Sequence, residues 1–143
     1  MSGEVFLDTN ILVYAEDRDA GERHRLARST IEQLWQDGTG AVSIQVLQEL
    51  YVTVTRKVAH PLAPAAARAI VAQYLTWKVV ENDGALLLAA MDLQAAHQLS
   101  LWDALVVQAA IVAGAEILLT EDLNDGQRFG PVTIRNPFRS GSA

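Results

Sequence analysis

The sequence contains no cysteine, which excludes disulfide bonds, thiolate zinc sites and cysteine nucleophiles and fits a reducing compartment. Aromatic residues make up only 6% of the chain and hydrophobic residues 50%, so the core must consist mainly of aliphatic side chains. The apolar runs fall short of the roughly 20 residues that span a bilayer. The start, MSGEVFLDTN, lacks the basic residues and long apolar stretch of a signal peptide. We therefore expect a soluble, cytoplasmic protein with no membrane partner.

An excess of positive charge is also lacking, since 11 Lys and Arg residues stand against 17 Asp and Glu residues. This balance argues against a general basic surface for nucleic acid. It does not exclude a nucleic-acid enzyme, because divalent cations bound by clustered acids would cancel the local charge. The length of 143 residues indicates one domain. We place that domain at 1–138 and expect the end, RSGSA at 139–143, to be a flexible tail.

Hydrophobic periodicity predicts an alternation of strands and helices. The strands are continuously apolar, which is typical of a parallel sheet covered on both faces. The predicted order is β-α-β-α-α-β-α-α-β-α-β, a three-layer α/β/α sandwich around a mostly parallel sheet of four to five strands. Strands are predicted at 4–7, 40–44, 77–81 and 116–120 and within PVTIRNP, and helices at about 20–36, 45–57, 64–75, 83–99 and 101–114.

Four acids fall where such a sheet binds ligands, which is beyond the carboxyl ends of its strands. Asp8 ends the first strand, in FLDTN, and Asp122 follows the fourth, in LLTED. Glu49 lies about one turn into the helix after the second strand. Asp103 lies in the first turn of a later helix, in SLWD. The topology is expected to bring all four carboxylates to one rim.

Each acid alone has an ordinary structural explanation. Asp8 could cap the next helix, Asp103 could complete a capping box with Ser100, and Glu49 and Asp122 could lie on the surface. Taken together, however, four neighbouring anions repel one another and are stable as ions only with cations between them. Oxygen ligands favour Mg²⁺ or Mn²⁺ over zinc. One or two such ions can activate water and stabilise charge on a phosphate.

The segments around these acids resemble the PIN domains of the VapC toxin family. The resemblance rests on FLDTN, SIQVLQELYVTVTRK, LSLWDALVVQAA and ILLTEDLNDGQRF followed by VTIRNPF, and it covers nearly the whole chain. It implies a PIN-like fold and a divalent-metal-dependent endoribonuclease, the toxin of a type II toxin–antitoxin pair. It also implies a cognate antitoxin, an apolar groove for an antitoxin segment, and a homodimer.

The resemblance further implies roles for individual residues. The metal-binding and catalytic acids would be Asp8, Glu49, Asp103 and Asp122, with Asp125 as a second candidate for the fourth position. Asn10 and Thr120 match supporting polar positions that orient carboxylates or water.

Three other residues have two interpretations each. Arg56 and Lys57 close the helix that carries Glu49, and they either contact RNA or antitoxin or complement the helix C-terminus. Trp102 precedes Asp103 directly, and it either packs in a core or interface or walls the edge of the site.

Two alternative functions remain open. A phosphatase could use Asp8 as a covalent nucleophile, although the position two residues later is Asn10 and the only lysines are Lys57 and Lys78. A non-catalytic PIN-like module could bind RNA or protein without cutting it. Phosphoaspartate trapping would favour the first, and absent metal binding the second.

Overall fold

A six-stranded sheet forms the centre of the structure, a computed structural model in which residues 3–139 are described. Helices connect most of the strands and flank the sheet. The strands are β1 (Glu4–Leu7), β2 (Gly40–Ser43), β3 (Lys78–Val80), β4 (Ala115–Leu119), β5 (Arg128–Phe129) and β6 (Val132–Arg135). The helices are α1 (Thr9–Glu16), α2 (Glu22–Asp37), α3 (Ile44–Arg56), α4 (Pro64–Tyr74), α5 (Gly84–His97) and α6 (Leu101–Val112).

The strands lie in the order β3-β2-β1-β4-β6-β5, and every neighbouring pair is parallel except β5 and β6. From β1 the chain moves outward to β2 and β3, and then crosses back to β4 on the other side of β1. Because parallel crossovers are right-handed, the outward steps place α1–α4 on one face and the return places α5 and α6 on the other. The predicted three-layer α/β/α sandwich is therefore confirmed.

The core lies on both sides of the central strands. Phe6 and Leu7 of β1 and Leu118 of β4 are fully buried, as continuous apolar strands require. On one face Ile11 of α1 covers the sheet, and on the other α6 buries Val107. Asp8 follows Leu7 directly, so its carboxylate stands at the edge of this core.

The structure corrects the predicted element order in three places. A helix was missed, because α1 begins immediately after β1 and spans only eight residues. The helix predicted between β4 and the last strand is absent from residues 3–139, where a turn at Gly126 leads into a two-residue strand, β5. That strand brings the count to six, against the four to five predicted. The predicted tail begins at Arg139, and residues 140–143 lie outside the described residues.

Helix boundaries otherwise follow the predicted capping residues. Ser100 caps α6 and Pro64 occupies the first turn of α4, as predicted. Within residues 3–139 no single helix is long and apolar enough to cross a membrane. Only α5 and α6 taken together would pass by length and composition, and they meet at a bend of 116°.

Candidate active site

Asp8 lies at the carboxyl end of β1 with a side chain only 6% exposed. One carboxylate oxygen accepts from the Thr9 backbone N–H at 2.7 Å and thereby caps α1, and the other accepts from the Thr120 hydroxyl at 2.8 Å. Burial raises the pKa of Asp8 from 3.8 to about 6 despite these hydrogen bonds, and the negative charges of Asp122 and Glu49 raise it further. Asp8 is therefore an acid whose charge is costly where it stands.

A polar network joins Asp8 to Asp122 across the sheet edge. Thr120, the residue after β4, is fully buried, and its hydroxyl accepts from the Asp122 backbone N–H at 3.0 Å while it donates to Asp8. The Asn10 side-chain amide donates to Asp122 Oδ2 at 3.0 Å and reaches Thr120 Oγ1 at 3.4 Å. Asn10 and Thr120, both predicted as supporting residues, thus connect two of the four acids.

Glu49 reaches the same edge from α3. The helix starts directly after β2, where the Ser43 hydroxyl accepts from the Val46 N–H at 3.2 Å. The Thr9 hydroxyl donates to Glu49 Oε1 at 2.8 Å, so Thr9, the first residue of α1, holds Glu49 through its hydroxyl and Asp8 through its backbone N–H. Glu49 is half-buried, and its carboxylate is fixed on the side that faces Asp8 and Thr9.

Asp103 enters from the first turn of α6. The Ser100 hydroxyl accepts from its backbone N–H at 3.0 Å, which confirms the predicted cap. Its side chain is half-buried, and burial raises its pKa, with further contributions from the charges of Asp122 and Glu49. All four acids line one open cleft of about 650 Å³.

The structure separates the other predicted residues into two groups. Lys57 lines the cleft, whereas Arg56 lies exposed in the last turn of α3 and does not. Asp125 also lies outside the cleft lining. Its carboxylate accepts from the Asn136 backbone N–H at 2.8 Å and lies 3.9 Å from the Arg139 guanidinium, so it anchors the β4–β5 connection to the chain after β6.

The donor set fits a hard divalent cation, because the four acids offer oxygen atoms alone. Asn10 adds a buried carbonyl oxygen to which no described residue donates. Nevertheless, no three His, Asp or Glu side chains within residues 3–139 converge closely enough to hold a metal ion in common. The structure therefore shows a cleft lined by carboxylates and not a finished coordination sphere.

Sequence reasoning missed several residues that support the cleft. Thr9 holds Glu49 through its hydroxyl. The sequence feature that could have indicated this role is the position of Thr9 directly after Asp8 in FLDTN. Tyr14, one helical turn after Asn10, donates its hydroxyl to Glu121, whose other oxygen accepts from Arg23 at 3.0 Å. This pair of contacts fixes the residue that precedes Asp122.

Gln45 is a further missed residue of the cleft, only 8% exposed at the start of α3. Asn82 accepts from its backbone N–H at 3.3 Å and donates to its side-chain oxygen at 3.1 Å. These two bonds tie α3 to the segment after β3. The sequence feature that could have placed Gln45 in the cleft is its position one helical turn before Glu49, on the same face of α3.

Known proteins resemble this chain at the level of fold. The toxin–antitoxin complex from Klebsiella pneumoniae has a chain 21% identical, with a TM-score of 0.69 over 94% of this chain and 98% of that one. DNA-bound VapBC from Salmonella typhimurium has a chain 17% identical, with a TM-score of 0.66 over 94% of this chain and 98% of that one. VapC20 of Mycobacterium tuberculosis, a toxin that cleaves the sarcin–ricin loop, is 21% identical in sequence. Its TM-score is 0.61, and the match covers 80% of this chain and 87% of that one.

Sequence comparison gives a family. No curated protein matches the chain with significance. The family model described as PIN domain, in contrast, matches residues 5–125, which include Asp8, Glu49, Asp103 and Asp122. With the α/β/α fold and the acid-lined cleft, this match shows that the chain belongs to the PIN domain family.

Proposed function

We propose that this protein is a divalent-metal-dependent endoribonuclease and the toxin component of a type II toxin–antitoxin pair. The observation that carries the proposal is that four carboxylates, from four distant segments, line one cleft at the carboxyl edge of the sheet. Membership of the PIN family and the similarity to toxin–antitoxin proteins support it. The RNA-cleaving activity of VapC20 favours RNA as the substrate.

In this proposal Asp8, Glu49, Asp103 and Asp122 hold one or two Mg²⁺ or Mn²⁺ ions. A cation bound there would lower the pKa of a water molecule and would offset charge that develops on the phosphate. The chain's own part is orientation: Thr120 and the Thr9 N–H fix the buried carboxylate of Asp8. Lys57 offsets part of the negative charge that an approaching RNA phosphate meets.

Asn10 and Thr9 position the carboxylates of Asp122 and Glu49. The Asn10 amide fixes one oxygen of Asp122, and the Thr9 hydroxyl fixes one oxygen of Glu49. Held carboxylates lose little freedom when a ligand binds, so these contacts preorganise the site.

The test is cleavage of a folded RNA pool by the purified protein with Mg²⁺ or Mn²⁺, with EDTA, and with matched variants. Asp8→Asn and Asp103→Asn remove a carboxylate from the cleft. Asp92→Asn on the exposed surface of α5 is the control, because it makes the same chemical change outside the cleft. We expect discrete, metal-dependent cuts from the parent and the control, and a loss of on the order of a hundredfold or more in each cleft variant.

Two outcomes would sink the proposal. Full activity of folded Asp8→Asn protein would remove the carboxylate mechanism. Absence of both cleavage and measurable Mn²⁺ binding by calorimetry would leave the non-catalytic PIN-like module. Equal degradation by all preparations would mark a contaminating nuclease, and the assay is then repeated on protein purified to remove it.

We assign the proposed antitoxin and the proposed second copy of the chain to two apolar surfaces. Between α3 and α4 lies a groove of about 400 Å³, which we assign to an antitoxin segment; it is lined by Leu47, Tyr51, Val52, Val71 and Leu75, among others. On α5, Leu87, Leu88 and Met91 are 42%, 64% and 48% exposed. We assign this second surface to a homodimer interface, because exposed contiguous apolar patches mark association sites.

A further inference from the structure

Trp102 is the most exposed of the three tryptophans, at 63%, and it stands in the cleft that holds the acids. The other two pack against each other and against Tyr74, with ring centroids 4.9 Å apart for Trp35–Trp77 and 5.0 Å for Tyr74–Trp77. Among residues 3–139 no aromatic ring stacks on Trp102. A large apolar side chain left open in a cleft presents its face to whatever enters the cleft.

The local sequence fixes where that face stands. Ser100 caps α6, so Trp102 is the second residue of the helix and Asp103 the third. The Cα atoms of Trp102 and Asp103 are about 3.8 Å apart, as consecutive Cα atoms are, and both residues line the cleft. Val106, one turn further on, also lines the cleft and is buried in the core below. The ring therefore stands on a rigid support next to the acids.

We propose that Trp102 is a stacking platform for one unpaired base of the bound RNA, next to the phosphate that would bind through the cation held by the acids. This inference rests on the proposed function and adds the residue that engages a base. An RNA phosphate at Asp103 brings its own nucleotide within reach of the adjacent indole. The side chains of Thr53 and Lys57 line the same cleft and offer a hydroxyl and an ammonium group to a ribose–phosphate chain.

Stacking has a consequence for the substrate. A base inside a duplex already stacks on its neighbours and offers no free face, whereas an unpaired base can be splayed onto an aromatic side chain. Such stacking tolerates any base, because every base has a π-face. Trp102 therefore selects for an unpaired nucleotide at this position and contributes little to the choice among bases.

The test uses full-length protein carrying Asp8→Asn, so that RNA is bound and not cut. The probes are a labelled single-stranded RNA of mixed sequence, the same RNA as a duplex, and an abasic ribose–phosphate oligomer of equal length. Trp102→Leu removes the π-face and Trp102→Phe retains one. Val112→Ala, at the exposed far end of α6, is the control, since it trims a 57% exposed apolar residue on the same helix.

We expect Trp102→Leu to weaken binding of the single-stranded RNA on the order of tenfold. Trp102→Phe should retain most of the affinity, and Val112→Ala all of it. Binding of the abasic oligomer should be equal in all variants, because it has no base to stack. Quenching of tryptophan fluorescence by the single strand should disappear in Trp102→Phe.

Several results would overturn the inference. Parent-like binding by Trp102→Leu would do so, as would an equal loss with the abasic oligomer. If Trp102→Leu changed only the oligomeric state in sedimentation, the residue would cover a second copy of the chain. If protein with Asp8 intact cuts RNA in a metal-dependent way and substitution of Trp102 changes neither cutting nor binding, the proposed nuclease activity stands and the proposed stacking role of Trp102 is wrong. RNA binding that depends on Trp102, with no cutting by protein in which Asp8 is intact, would leave the platform and remove the nuclease. No RNA binding by protein with Asp8 intact and none by the Asp8→Asn protein would remove both.

Discussion

At the residue scale, two acids of the cleft lie at the capped N-termini of helices. Asp8 caps α1 and Ser100 caps α6 beside Asp103. The structural and functional explanations of these acids are therefore not alternatives. In a parallel sheet the carboxyl end of a strand and the amino end of the following helix meet at one edge, which is also the ligand-binding edge. A carboxylate there satisfies helix N–H groups and faces the site.

Asp8 should make stability depend on pH in an unusual direction. Its pKa is raised by burial, from 3.8 to about 6, so the folded state binds a proton more tightly than the unfolded state. The corresponding stability is present below the unfolded pKa and is lost as pH rises through about 6. We measure the free energy of unfolding in urea, with EDTA present, for the parent and for Asp8→Asn. As pH falls from about 7.5 to about 4.5, the free energy of unfolding of the parent should rise by on the order of 2 kcal/mol relative to that of Asp8→Asn. A stability difference that did not change with pH would contradict the raised pKa.

Thr120 should matter to both stability and metal affinity. Its hydroxyl is fully buried, donates to Asp8 and accepts from the Asp122 backbone. Thr120→Val keeps the shape and leaves those partners unsatisfied, so unfolding should cost roughly 1–3 kcal/mol less. Mn²⁺ binding measured by calorimetry should weaken as well. Thr133→Val on β6, half-buried and outside the cleft, is the control; equal effects of the two variants would show that Thr120 has no role particular to the acids.

At the element scale, long amphipathic helices and buried strands were predictable, and short elements were not. The sequence predicted α2 to α6, β1 to β4 and β6, because each has a helical period, a capping residue at its start or a continuous apolar run. α1 has only two turns, and its apolar residues Ile11, Leu12 and Ala15 follow a strand without a break. β5 has two residues and exists through its pairing with β6, a contact that no local pattern encodes.

The candidate site was predictable as an approximate location and not as a network. The ends of two strands and the first turns of two helices placed the four acids at one edge, and in the structure all four line one cleft. Which polar neighbour holds which carboxylate depends on side-chain contacts between α1, α3 and the segment after β4. Thr9 with Glu49 and Tyr14 with Glu121 are such contacts, 40 and 107 residues apart in sequence. Asp122 was the predicted fourth acid of EDLNDG, with Asp125 as the second candidate, and in the structure Asp122 lines the cleft while Asp125 does not.

Gly40 illustrates how packing between elements constrains one position in β2. A Cβ atom there would lie 2.5 Å from the ring of Trp77, which itself packs against Trp35 and Tyr74. Gly40→Ala should therefore shift the ring and lower the free energy of unfolding by roughly 1–3 kcal/mol. Gly84→Ala, at the first position of α5 with no atom within 4 Å of the added carbon, should be neutral or slightly stabilising. Equal melting temperatures for the two variants would contradict this packing.

At the scale of the whole molecule, exposed apolar residues are unevenly distributed. The core is one continuous cluster, yet large apolar side chains remain open on α5 and in the groove between α3 and α4. Their separation means that two partners can bind without competing for one surface. The proposed homodimer and the proposed antitoxin contact are therefore independent, and a variant in one surface should leave the other intact.

Leu88→Glu tests the dimer surface. Leu88 is 64% exposed and Met91, one turn along the same face, is 48% exposed. In a two-fold dimer each residue meets the same patch on the other copy, so a glutamate at 88 introduces two charges into the interface. We expect sedimentation at micromolar concentration to show a dimer for the parent and a monomer for Leu88→Glu, with the fold retained by circular dichroism. Leu75→Glu makes the same change at a 50% exposed leucine in the groove between α3 and α4, and this variant should remain dimeric. A monomeric parent, or a dimer in both variants, would assign the α5 surface to some other contact.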